Sequence, residues 1–174
     1  MNKAVRHYYD LAYEYNRAAA LLWADITVSP ESYNPTVSLL KHAVEMLLKG
    51  LIVKEQSMFT DLDYTGAAKI EINGDRVRMN GVTSLAALWR AYKRMSGEMR
   101  LCPVYDNDQK EFIDRVIRKS DVPDSDAFSV VYVKEDTGEG AVTTLRDVKM
   151  IGERKMNKVN DLFKLTEMLF GFFR

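Results

Sequence analysis

A chain of 174 residues, 47% hydrophobic and 29% charged, suits one globular domain with enough apolar material for a core that needs no covalent staples. Its 25 Lys plus Arg balance 25 Asp plus Glu, so the net charge of +0 offers no global basic excess of the kind that marks a dedicated phosphate-binding protein. A single cysteine, Cys102, excludes an intramolecular disulfide; with no leader-like apolar run and no stretch near the ~20 apolar residues of a membrane span, the expectation is a cytoplasmic protein without a membrane segment.

The elements follow in chain order. Val5, Tyr8, Ala12, Tyr15, Ala19 and Leu22 recur in steps of three and four and predict a helix over residues 3–26. Ser29–Pro35 breaks it, and Asn34-Pro35 reads as a cap followed by a first-turn proline. Over 35–55, Leu39, Leu40, Ala43, Val44, Leu47, Leu48, Leu51 and Ile52 form a broad apolar ridge, with Ser38, Lys41, His42, Glu45 and Lys49 opposite. So wide a stripe belongs at the centre of a bundle.

Alternation in Lys69–Ile72 and Arg76–Met79 around Asn73-Gly74-Asp75 predicts a small hairpin. Thr83 or Ser84 caps a third helix through about Ser96, which Gly97 should stop. A fourth helix is expected over about 106–119, acidic at its start and basic at its end. Phe128–Val133 and Ala141–Leu145 read as a second hairpin. A last helix is expected over 146–173, burying Val159, Leu162, Phe163, Thr166, Leu169, Phe170 and Phe173. The fold class is all-α: one domain over residues 1–174, an up-and-down bundle of about five helices with two small β-hairpin insertions.

Three stretches carry a family likeness: Ser38–Leu51, Gly81–Trp89 and Ser125–Gly138. In order and spacing they resemble the HEPN (higher eukaryotes and prokaryotes nucleotide-binding) helical domains. Val82 stands where many relatives have His, and Ser129–Val131 replace an Arg-Tyr-Pro core. Members that act as RNases carry an Arg followed four to six residues later by His. The two histidines here, His7 and His42, have no Arg at that upstream distance. The nearest imitation runs from Arg154 to Asn160, and an amide cannot serve as a general base near neutral pH. The resemblance therefore implies a nucleotide- or RNA-associated binding or regulatory module without the RNase motif. A toxin–antitoxin or defence setting in a prokaryote or phage is expected, beside a partner protein encoded nearby. The alternatives are an RNA- or nucleotide-processing enzyme using unrecognised residues, or a self-associating scaffold.

The site residues expected on this reading are nucleic-acid contacts. Arg90, Lys93 and Arg94 share one helix face near Arg100, and Arg115, Arg118 and Lys119 form a second cluster. Together they would make a phosphate-binding groove with Tyr92 as a stacking surface, supplemented by Arg154 and Asn160. Solvated helix faces are the ordinary alternative. His42 and Glu45 could supply half a metal site, but the inventory offers no further ligands nearby, so neither metal nor other cofactor is expected. The acidic pairs Asp61/Asp63 and Asp106/Asp108 and the thiol of Cys102 are read as ordinary polar or structural positions. The apolar run Met168–Phe173 exceeds what one face can bury, since Phe172 points away from Leu169 and Phe173, and predicts a homodimer through the last helix.

Overall fold

A computed structural model describes residues 3–24, 30–57, 69–72, 75–79, 83–99, 107–120, 129–135, 144–150 and 153–173. Five helices make up its body: α1 (Lys3–Ala24), α2 (Tyr33–Ser57), α3 (Leu85–Met99), α4 (Asn107–Ser120) and α5 (Glu153–Gly171). The central member is α2, which packs against α1, α3 and α5, while α4 bridges α3 and α5. Leu40, Ala43, Val44, Leu47, Leu48, Leu51 and Ile52 of α2 are wholly buried, as their spacing requires. Against them α1 presents Val5, Ala12 and Ala19, all buried. The two alanines, seven residues apart, let the helix axes approach closely.

Helix boundaries depart from the sequence reading where capping and nonlocal pairing decide them. A short 3-10 turn, Pro30–Ser32, leads into α2, which begins at Tyr33 rather than Pro35. Pro35 sits in the first turn, where an N–H would lack an intrahelical acceptor in any case. The Thr36 hydroxyl donates to the Ser32 carbonyl at 2.7 Å and ties this turn down. At α3 the Leu88 N–H donates to the Ser84 carbonyl at 3.1 Å, so Ser84 flanks the first turn. Gly97 does not end that helix, which runs on to Met99; one glycine inside a helix costs only about 1 kcal/mol.

Two pairs of strands lie outside the helices. Strands β1 (Lys69–Ile72) and β2 (Asp75–Arg78) pair antiparallel with Ile72 opposite Asp75. Strands β3 (Ser129–Glu135) and β4 (Thr144–Met150) pair antiparallel from Ser129↔Met150 to Glu135↔Thr144. The expectation that Arg146 opens the last helix is thereby corrected. Ser129–Glu135, with the β-branched and aromatic run Val130–Val133 at its centre, provides a partner for all seven residues of β4, and α5 starts only at Glu153.

The C-terminal run corrects a second expectation. Phe170 and Phe173 meet the ring of Tyr9 edge-on, at 5.1 and 5.4 Å between centroids. Lys54 Nζ donates to the Phe172 carbonyl at 2.8 Å. Phe170, Phe172 and Phe173 are half-buried against the core. The end of α5 thus packs over α1 and α2 and does not form the open apolar patch that its sequence predicts. Among the described residues the large apolar side chains that do stand exposed are Tyr13, Leu21 and Met156.

Candidate functional site

Glu45 and Lys49, placed by periodicity on the polar side of α2, are buried, because the approach of α3 covers that side of the helix. Glu45 is the hub of a charged cluster. Its Oε1 accepts from Lys49 Nζ at 2.7 Å and from the Thr83 N–H at 3.0 Å. Its Oε2 lies 3.5 Å from His42 Nδ1, whose ring leans on Tyr15 of α1 at 5.6 Å. One carboxylate thus ties α2 to the chain entering α3. With Lys49 against it, this carboxylate is committed to structure rather than left for chemistry. Among the described residues no group of three or more His, Cys, Asp or Glu could hold a metal, so His42 and Glu45 stay a pair.

A second cluster joins α3 to α4. Asp114 Oδ1 accepts from the Trp89 indole at 2.6 Å and from Lys93 Nζ at 2.7 Å. The Lys93 ammonium also lies 5.5 Å from the Trp89 ring centroid. Burial alone would raise the Asp114 carboxyl. The hydrogen bonds from Lys93 and Trp89 and the charges of Lys93 and Arg118 outweigh it and hold the group below its ordinary value.

A third cluster lines an open cleft of about 510 Å³ between α4 and α5. Phe112 is half-buried there, with the Arg115 guanidinium 5.4 Å and the Lys164 ammonium 4.8 Å from its ring centroid. Asp108, Gln109 and Glu111 line the α4 side and Met168 the α5 side.

The expected nucleic-acid contacts are only partly brought together. Arg90 and Arg94 are exposed on α3, and Lys93 turns to Asp114. Arg118 is exposed on α4 and close enough to act on Asp114, so it joins the α3 group. Arg115 faces the α4/α5 cleft instead. Tyr92 cannot serve as a stacking surface, because it is buried at 1% exposure. Arg154 and Asn160 are both exposed on α5. Six residues apart, they diverge by roughly 120° around the helix and do not share a face. Arg100, Cys102, Asp61, Asp63 and Asp106 lie outside the described residues.

Sequence reasoning missed Asp114, Trp89, Phe112 and Lys164 as members of these clusters. Trp89 and Asp114 carry one weak signal: each lies one turn or less from a predicted basic residue on its own helix. Lys164 carries none, because only the packing of α5 on α4 sets it beside Phe112. Comparisons with family models, with curated proteins and with solved structures find no match to this chain.

Proposed function

We propose that this chain is a HEPN-like helical module that contacts RNA or a nucleotide through the exposed cations of α3 and α4 and does no RNase chemistry. One observation carries the reading. At the α3–α4 junction Arg90, Arg94 and Arg118 are exposed, while the nearby carboxylate of Asp114, on which the charge of Arg118 acts, is engaged by Lys93 and Trp89. A local cationic surface on a chain of zero net charge favours contact with a phosphate backbone at that face. The sequence resemblance and the missing Arg-to-His spacing support a binding or regulatory role beside a partner protein, in a cytoplasmic toxin–antitoxin or defence setting. The enzyme alternative is disfavoured by the chemistry of Asn160, whose amide cannot act as a general base where an RNase would need an imidazole.

Fluorescence anisotropy with a labelled single-stranded RNA tests the reading. The intact chain should bind at low salt and leave the RNA uncut, and Arg90→Ala/Arg94→Ala/Arg118→Ala should lose most of that affinity. Absence of binding, or metal-independent cleavage, would overturn it. The same reading carries a homodimer. With the tail folded in, Tyr13 and Leu21 of α1 and Met156 of α5 are the large apolar side chains exposed among the described residues that could support one. Light scattering should then give twice the 20.0 kDa chain mass.

A further inference from the structure

The carboxylate of Asp114 has two donors of unequal freedom. The Trp89 indole N–H, at 2.6 Å, belongs to a ring with 3% exposure and cannot turn away. The Lys93 ammonium, at 2.7 Å, sits on a long flexible stem with its side chain 40% exposed. Only the second bond is free to exchange, and an exposed ion pair of this kind is weak. Yet if Lys93 swings toward a phosphate, the carboxylate does not leave with it, because the indole keeps Asp114 where it is. The bonds from Lys93 and Trp89 and the charges of Lys93 and Arg118 also keep Asp114 ionised. A strand laid on this face therefore meets the Lys93 and Asp114 charges together, and at so short a separation they nearly cancel. Arg118 acts on Asp114 through its charge, without a hydrogen bond to it.

We infer that Asp114 limits how tightly the α3–α4 face holds a strand: it withholds Lys93 from the phosphate backbone and leaves the contact to the exposed arginines. The inference rests on the proposed RNA contact and adds to it a residue that works against binding. Asp114 acts through Lys93 and is a positioning residue, not a contact residue.

Salt-dependent anisotropy of a labelled single-stranded RNA tests it, measured on the intact chain, Asp114→Asn, Lys93→Ala and the double variant. Asn removes the charge but keeps a side-chain oxygen for the Trp89 indole. The side chains of Lys93 and Asp114 are 40% and 50% exposed, so neither change threatens the fold. Asp114→Asn should bind about tenfold more tightly at low salt. It should also steepen the slope of log affinity against log salt by roughly 0.7, one further phosphate contact. Lys93→Ala should leave the slope of the parent unchanged, and should abolish the steepening in the Asp114→Asn background. If Asp114 merely repels the strand, Lys93→Ala changes the slope equally in both backgrounds. That result, or an affinity unchanged in Asp114→Asn, would overturn the inference and leave the RNA contact standing. No RNA binding by any of the four proteins would overturn the contact itself, and the inference with it.

Discussion

The ring of Phe173 lies so close to Gly50 that a Cβ built on the glycine would stand 3.0 Å from Cζ of that ring. The same Cβ would stand 3.1 Å from Cβ of Tyr8 on α1. Gly50 is therefore the point at which the middle of α2 admits both α1 and the end of α5. In a helix interior Ala normally gains about 1 kcal/mol over Gly. Phe173 can swing aside, but Cβ of Tyr8 moves only if α1 moves. Gly50→Ala should therefore forfeit the helical gain and lower the melting temperature, and Gly50→Val should do so more severely. A rise in melting temperature for Gly50→Ala would show that α1 gives way freely.

Breaking the Glu45–Lys49 pair from one side leaves a charge buried without its partner. Lys49 is 1% exposed, and its ammonium is 2.7 Å from the carboxylate. Glu45→Ala should cost about 3–5 kcal/mol in chemical denaturation. Glu45→Gln/Lys49→Met removes both charges while keeping an acceptor for the Thr83 N–H, and should recover much of that loss. A double variant no more stable than Glu45→Ala would contradict the pairing.

Glu55 should give stability a pH dependence of unusual sign for a carboxylate. It is buried, and its Oε2 has no hydrogen-bond partner among the described residues. Burial raises its pKa, and the charge of Lys54 offsets this only in part. A group that binds its proton more tightly folded than unfolded contributes fully below the unfolded pKa, and loses that contribution as pH rises through the folded value. Glu55→Gln keeps the shape and removes the charge. Its melting temperature should exceed that of the parent by a margin that widens from pH 4 to pH 8. A margin constant with pH would rule out Glu55 as the source.

The helices were legible where local pattern and environment agree. The Leu39–Ile52 ridge marks α2 as central because an apolar stripe that wide has nowhere else to go. Glu45 and Lys49 look solvated in sequence because their burial depends on where α3 crosses, which no local pattern encodes. The local pattern puts the start of α5 too early for a related reason: Thr144–Met150 takes its conformation from Ser129–Glu135, a partner distant in the chain. The site divides in the same way. Arg90, Arg94 and Arg118 are readable as helix-face cations, whereas the pairing of Arg115 with Lys164 around Phe112 arises only when α4 and α5 meet.

The central claim is that the α3–α4 face binds a phosphate backbone, and the salt dependence of RNA affinity tests it most directly. If Arg90, Arg94 and Arg118 each displace a counterion, the logarithm of the binding constant should fall against the logarithm of salt concentration with a slope of about −2. Each arginine replaced by Ala should flatten that slope by roughly 0.7. A slope near zero, or one left unchanged when all three arginines are removed, would contradict the account.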